Sequence, residues 1–370
     1  CYFTGFWRSI RAGGSDRVTL DHNEFSGYPA YQWVRYGSVN GNQRTLWNAV
    51  YNSNLNINHV HHYGESVTLS NNLVYECFDC LWPRDMGTLA AASRSEYRGN
   101  TVMSCGDECI EFDTRDPINL RVHHNFFMDA TAVLALSPIQ GGGLTIDHNI
   151  VYSSPEYGLR SSVLLKFQCP WCSSSPGPTR LVTMVHNTFV NATAALYWTG
   201  EDHDYVDSIV ENNIFHTYRE SGWVHPDLTL SHYNLHSGPN MRPDAPNMSH
   251  LIHEDEPGFV SAPVMGPGLV QGGRRVEAQV LPLQSEPAWT DAAPVDFHLA
   301  TGAPAVDTAN PDINLDALYH HSRNGTAPDH GAIELGERWN MSVGPRWATG
   351  DRAPWRPGLP PSLDADWLGL

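Results

Sequence analysis

Through roughly residues 1–240, apolar and polar side chains alternate in short stretches that meet at an asparagine: LDHNEF, TLWNAV, LSNNLV, YRGNTV, VHHNFF, IDHNIV, MVHNTF and VENNIF. The marker residues are Asn23, Asn48, Asn72, Asn100, Asn125, Asn149, Asn187 and Asn213, with one longer step between Asn149 and Asn187. Alternation with a period of two predicts β-strands, and nowhere in this stretch does a 3.6-residue apolar period run far enough to predict a helix. Short strands without helices can be buried by coiling. Each turn then pairs its backbone with the turn below at about 4.8 Å and sends alternate side chains into a shared core. An Asn at the same corner of every turn can hydrogen-bond to its counterparts above and below, which satisfies the amides of a tight bend. The pattern therefore predicts an all-β parallel solenoid with an Asn ladder.

These repeats resemble those of right-handed parallel β-helix proteins of the secreted, pectate-lyase-like type. The resemblance implies a right-handed parallel β-helix over residues 1–240, a fold that hosts lyases, hydrolases, epimerases, adhesins and filament proteins alike. A second resemblance lies in DFHLATGAPAVDTA (Asp296 to Ala309) followed by PDHGAIELG (Pro328 to Gly336), which looks like the closing segment of such coils in secreted bacterial proteins. It implies an irregular C-terminal capping segment over residues 296–336, covering edge amides that would otherwise stay unpaired. Residues 241–295, rich in Pro and Gly, are expected to form an excursion along the coil. Residues 337–370, rich in Pro and Trp, are expected to form a tail that docks or wraps on the surface. The stretch CPWCSSSPGPT (Cys169 to Thr179) predicts a loop that absorbs the long step after Asn149 and walls a groove.

Charge narrows the partners. The 370 residues carry 22 basic and 40 acidic side chains, a formal net charge of −18. The single Lys, Lys166, stands among scattered Arg, so the clustered cations that nucleic acid or an anionic membrane requires are missing. No run of eighteen apolar residues predicts a membrane span. The chain opens on Cys1 within a strand-like pattern, which predicts a segment of a longer precursor, with self-assembly or a neighbouring domain at the open N-terminal end.

Six of the seven Cys form close pairs: Cys77 and Cys80, Cys105 and Cys109, Cys169 and Cys172. Counted from the marker Asn, Cys77 and Cys105 share one offset on adjacent turns, and Cys80 and Cys109 nearly share another. Inter-turn bridges Cys77–Cys105 and Cys80–Cys109 are the leading expectation, with local bridges inside each pair and a four-thiolate zinc site as alternatives. For Cys169 and Cys172 a local disulfide or loop clip is expected. With sequons at Asn191, Asn247, Asn324 and Asn340, these pairs favour a secreted, extracellular or cell-surface protein carrying glycans.

The same alignment stacks Asp79 on Asp107 and Asp85 on Asp113, with Glu108 and Glu111 beside them. Like charges on adjacent turns need an answer. Arg84, Arg98, Arg115 and Arg121 would supply one. A Ca²⁺ ion held by Asp79, Asp107, Glu111 and Asp113 would supply another, and a proton shared in a catalytic acid/base pair around Asp107 and Glu108 a third. The resemblance implies a further possibility, because polysaccharide lyases on this fold abstract the proton next to a uronate carboxylate with a Lys or Arg base. Lys166 and Arg160 are the candidates, with Arg121, just ahead of Asn125, as a third. Arg115 and Arg121 would bind the substrate's carboxylates, and Trp82 and Trp171, with Trp47 and Tyr157, would offer aromatic faces to sugar rings.

His22, His124, His148 and His186 precede ladder asparagines and are expected to stack rather than ligate. His59, His61 and His62 form a denser set that a transition metal could use. Two functions follow: an extracellular coil that binds, and as a lyase or glycoside hydrolase cleaves, acidic polysaccharide in a side groove, or a non-catalytic surface, adhesin or filament protein.

Overall fold

The computed structural model of the protein describes residues 1–4, 9–13, 16–26, 59–83, 94–112, 119–136, 142–152, 163–168, 179–190, 194–199, 205–216, 230–237, 248–249, 252–253, 257–261, 296–311 and 327–332. Among the described residues there is no helix, and the strands form a right-handed parallel β-helix. Each full coil presents three faces. A nine-stranded face carries the stretch before each ladder Asn, including Thr19–Asp21, Thr68–Ser70, Glu96–Arg98, Leu120–His123, Leu144–Asp147, Val182–Val185 and Ile209–Glu211. After the Asn corner the chain enters a fifteen-stranded sheet that itself bends once. Its first part, here the ladder face, includes Glu24–Ser26, Leu73–Cys77, Ile150–Tyr152, Thr188–Val190 and Ile214–His216. Its second part, here the acidic face, includes Ile10–Gly13, Val60–Tyr63, Leu81–Pro83, Val163–Gln168 and Ala194–Thr199. Thr101–Phe112 and Phe126–Leu136 run through both parts.

Period-two alternation fills the interior in columns. On the nine-stranded face Leu20, Leu69, Tyr97, Val122, Ile146, Met184 and Val210 lie in register on successive coils. On the ladder face the column is Phe25, Val74, Val102, Phe127, Val151, Phe189 and Phe215. Both columns border one continuous apolar core.

The ladder runs from Asn23 through Asn72, Asn100, Asn125, Asn149, Asn187 and Asn213 to Asn234. At every link the backbone N–H and the side-chain amide of one Asn both donate to the Oδ1 of the next, at 2.9–3.1 Å. From Asn72 onward the amide also donates to a strand carbonyl, those of Leu20, Leu69, Tyr97, Val122, Ile146, Met184 and Val210 in turn. A buried amide that left these groups unpaired would be costly, so the identity of the residue is constrained by hydrogen bonding alone.

Two rungs differ from expectation. Asn23 bonds directly to Asn72, so the ladder passes from one to the other without Asn48, which lies outside the described residues. Asn234, which the repeat pattern did not mark, is the rung after Asn213. The residue before each rung from Asn23 to Asn234 has positive φ, from 51° at His148 and Tyr233 to 61° at Gly99. Gly, Asn and His tolerate this left-handed region best, which accounts for the HN, NN and GN pairs in the repeats. The expected imidazole stack is present, with His124 on His148 at 5.0 Å and His148 on His186 at 5.2 Å.

The parallel coil continues past residue 240 to Ile252–His253. Phe259–Ser261 then pairs antiparallel with Asp296–Leu299, which begins the irregular closing segment. That segment covers a flank of the coil. The Phe297 ring lies 5.5 Å from Tyr152 and 6.3 Å from Phe126, both on the ladder face. Farther along, Asn310 N–H donates to Asn212 Oδ1 at 2.7 Å, Gly331 N–H to Asn212 O at 2.9 Å, and Ala332 N–H to Thr188 Oγ1 at 2.9 Å. The expected Pro- and Trp-rich tail lies outside the described residues.

Candidate functional site

The bend between the ladder and acidic faces positions the chemistry. Cys105 pairs with Cys77 in the register expected, but the bridges are Cys77–Cys80 and Cys105–Cys109, not the inter-turn pairs. The bend is the reason. Residues three apart in an extended strand are separated by about 10 Å, whereas here the Cα atoms of the two pairs are 5.0 and 5.4 Å apart, within reach of a disulfide. The Sγ atoms of Cys80 and Cys105 are 3.3 Å apart, so the two bridges stack on adjacent coils.

A β-bulge lies immediately after. Cys105 pairs with Cys77 and Ile110 with Leu81, so one extra residue is accommodated between them. Asp107 N–H donates to Phe78 O at 2.9 Å while Cys80 N–H donates to Glu108 O at 3.0 Å, and Asp79 therefore faces both Asp107 and Glu108. Gly106 suits the tight approach, since a Cβ there would come within 3.2 Å of the Phe78 ring. The bulge changes the expected partnership. Asp79, Glu108 and Glu111 form a group whose carboxylate oxygens lie within 4.8 Å of one another, and Asp107, also buried, is not part of it. Asp79 and Glu108 are each 2% exposed and Glu111 is half-buried, so the group sits just beneath the surface of the acidic face.

Along that face the register assembles a column. Arg11 pairs with His61 and His61 with Trp82, whose rings stack at 4.4 Å. Glu111 comes one residue after the Ile110–Leu81 pair and pairs on its other side with Ala135, which pairs with Lys166, which pairs with Tyr197. Of the residues expected at a site, the fold thus brings Asp79, Glu108 and Glu111 together and gives Trp82 and Lys166 register positions one and two coils from Glu111. Ala135 between them keeps the floor of the column low.

Arg121 belongs elsewhere. It lies on the nine-stranded face and grips Asp147 with Nε to Oδ1 at 2.8 Å and a second guanidinium nitrogen to Oδ2 at 2.5 Å, so it does not join the acidic group. Arg98, on the same face, pairs with Glu96 at 3.5 Å. His59, His61 and His62 do not converge. His59 bonds Ser9 Oγ and Tyr75 O, His61 stacks on Trp82, and His62 bonds the buried Tyr97 hydroxyl. Arg84, Asp85, Asp113, Arg115, Tyr157, Arg160, Cys169, Trp171, Cys172, Trp47 and the sequons at Asn191, Asn247, Asn324 and Asn340 lie outside the described residues.

An all-parallel coil defines a solenoid of the β-helix class, and this one carries on one flank a group of three carboxylates that could hold a metal ion. Among solved structures, the chain is similar to a pectate lyase, Pel9A, with 13% identity over 90% of this chain and 72% of that one and a TM-score of 0.41. It is also similar to XylC in complex with xylose, with 12% identity over 68% of this chain and 49% of that one and a TM-score of 0.38. No protein-family model and no curated protein matches the sequence. None of the helices among the described residues is long and apolar enough to cross a membrane, there being no helix.

Proposed function

We propose that the protein is an extracellular enzyme that binds acidic polysaccharide along the acidic face and cleaves it by elimination. The observation that carries this reading is the convergence of Asp79, Glu108 and Glu111 within 4.8 Å, in one column with Trp82 and the register position of Lys166. Three hard oxygen donors on two adjacent coils suit Ca²⁺ better than a softer metal. Asp107 and Asp113 stand in the same stretch and are candidates to complete the set, which makes the donor chemistry fit the ion. A bound Ca²⁺ would neutralise a uronate carboxylate and so acidify the C–H beside it.

The chain's own groups would do the rest. Trp82 offers an aromatic face to a sugar ring, and Arg115, Arg160 and Trp171 are candidates for further sugar and carboxylate contacts. Glu111 and Lys166 stand two coils apart, about 10 Å, a separation on the scale of a bound sugar residue. Lys166, as the free amine, takes the proton from the carbon next to the carboxylate. The C–H electron pair becomes the ring double bond, the glycosidic C–O bond on the neighbouring carbon breaks, and the departing oxygen takes up a proton.

The test uses the full chain with polygalacturonate and other uronate polymers, in Ca²⁺ or in chelator. Calcium-dependent growth of the ultraviolet absorbance of an unsaturated uronate is the expected result. New reducing ends without that absorbance would mean hydrolysis instead. Silence on every polymer, together with ordered assemblies by electron microscopy, would replace the enzyme with a structural coil.

A further inference from the structure

A second cluster lies on the nine-stranded face, away from the acidic group, where the coils of Asn125 and Asn149 meet. His123 pairs in register with Asp147 on the next coil, and His124 follows at the left-handed corner with φ 52°. One ligand atom from each of His123, His124 and Asp147 lies within 4.8 Å of the others. The Nδ1 atoms of His123 and His124 face each other at 2.9 Å. From these contacts the geometry points to a divalent transition-metal site, of the kind zinc occupies, formed by His123 Nδ1, His124 Nδ1 and the Asp147 carboxylate and stapling adjacent coils together.

The surrounding contacts have the form of a second coordination shell. The far nitrogen of His123, Nε2, bonds Glu96 Oε1 at 2.9 Å. That carboxylate holds the proton on Nε2 and leaves Nδ1 with its lone pair, the arrangement that orients metal-binding imidazoles. Asp147 is fully buried and accepts two bonds from Arg121 and one from His148 Nδ1 at 3.0 Å. A carboxylate offers about four acceptor positions, and partners among the described residues take three of them. His148 stacks on His124 at 5.0 Å and limits its rotation.

The His pair also differs from two other corners of the ladder. At His22 and His148 the corner imidazole bonds the Asp just before it, Asp21 at 2.7 Å and Asp147 at 3.0 Å. At His124 the preceding residue is a second imidazole. Two ring nitrogens face each other there at 2.9 Å, placed to serve a single cation. Two imidazoles and one carboxylate select zinc or a neighbouring borderline ion over calcium. His124 is half-buried, so solvent can complete the coordination.

The experiment titrates the full chain with Zn²⁺ by calorimetry, in excess Ca²⁺ so that the carboxylates of the acidic face are occupied, and repeats it with Co²⁺ to read nitrogen coordination from the visible spectrum. One ion per chain is expected, with a rise in Tm on binding. His124→Asn should weaken binding at least tenfold while preserving the fold, because Asn occupies the same left-handed position at Asn71 and Asn212. Glu96→Gln should retain one ion per chain and weaken binding by about 10–100-fold. Absence of Zn²⁺ binding by the folded chain, or binding that His124→Asn and His123→Gln both leave unchanged, would overturn the site. Neither outcome depends on activity toward polysaccharide.

Discussion

Asn125 donates to Asn149 Oδ1 twice, from its backbone N–H and from its side-chain amide, each at 3.0 Å. Asn149 in turn donates its own amide to Val122 O, Asp147 O and Asn187 Oδ1 at 2.9–3.0 Å. One side chain therefore ties three coils, and it is 1% exposed. Replacing it with Ala strands the Asn125 N–H and the Val122 carbonyl in a site with little solvent access. Each buried group left unsatisfied costs about 1–3 kcal/mol. Asn149→Ala should thus lower the unfolding free energy by about 2–5 kcal/mol, read as a shift in urea midpoint at constant slope. Asn149→Asp, which keeps the acceptor and loses the donor, should fall between the two. An Ala variant as stable as the parent would mean that the ladder follows from the fold rather than holding it.

The acidic face separates two roles that substitution can tell apart. Glu108→Gln removes a charge from the carboxylate group and should weaken Ca²⁺ binding tenfold or more, lowering turnover at limiting Ca²⁺ and restoring part of it at saturation. Lys166→Ala should abolish turnover and leave Ca²⁺ affinity within about twofold, because the two positions stand two coils apart. Calorimetry with Ca²⁺ and the ultraviolet assay decide together. Loss of Ca²⁺ binding in a folded Lys166→Ala chain would contradict the separation.

Buried imidazoles set the response to acid. Burial, with His61 beside it, pushes His62 down to about 3, and burial, with His148 and His330 nearby, does the same for His186. His216 and His330 fall to about 4, again chiefly through burial. In the unfolded chain each would titrate near the ordinary value of 6.5. Between these values the unfolded chain binds more protons than the folded one, so stability is complete above about pH 6.5 and is lost as the pH falls toward 3 to 4. Asp147, held low by Arg121 and His148 against the opposing effect of burial, extends the same trend further into acid. Each such imidazole contributes a slope of about 1.4 kcal/mol per pH unit. His186→Asn, compatible with the left-handed corner, should flatten the stability-against-pH curve by up to one proton's slope. An unchanged curve would mean that His186 is not protected from protonation in the folded chain.

How much of this was legible in the sequence depended on whether the backbone stays regular. The ladder was readable because period-two alternation and a repeated Asn are both local signals, and the HN, NN and GN pairs report the left-handed corner directly. Asn48 carries the same local signal although Asn23 bonds Asn72, because a sequence pattern does not say which marked residues become consecutive rungs. Asn234 escaped notice for the opposite reason: Tyr233 is an unusual occupant of a left-handed corner, and the step of 21 residues from Asn213 is short. At the cysteines and carboxylates, equal offsets gave the correct Cys77–Cys105 register, and then the bend and the bulge rearranged everything downstream. Only Gly106, small enough for the approach to Phe78, marks the bulge in the sequence. The Arg121 bond to Asp147 was not legible because the sequence alone did not show that its strand belongs to the nine-stranded face, where Asp147 is its register neighbour by two positions.

Gly331 fixes how closely the closing segment can lie against the coil. Its φ is +89°, and a Cβ there would meet Thr188 Oγ1 at 2.5 Å and Ile214 Cδ1 at 2.7 Å. The adjacent Ala332 N–H donates to that same Thr188 hydroxyl, and Gly331 N–H to Asn212 O, so the backbone cannot retreat without losing both bonds. Gly331→Ala should therefore combine backbone strain with a collision and cost about 2–4 kcal/mol. Gly302 is the control. It has a φ of +80° with nothing within 4 Å of its Cβ position, so Gly302→Ala should cost only the strain, about 1–2 kcal/mol. Hydrogen exchange should show Gly331→Ala speeding exchange at Gly331 and Ala332 while the Asn ladder stays protected, since the coil's own bonds are untouched. Equal costs for the two substitutions, or loss of ladder protection along with the segment, would show that the flank and the coil unfold as one unit and that close approach is not what Gly331 provides.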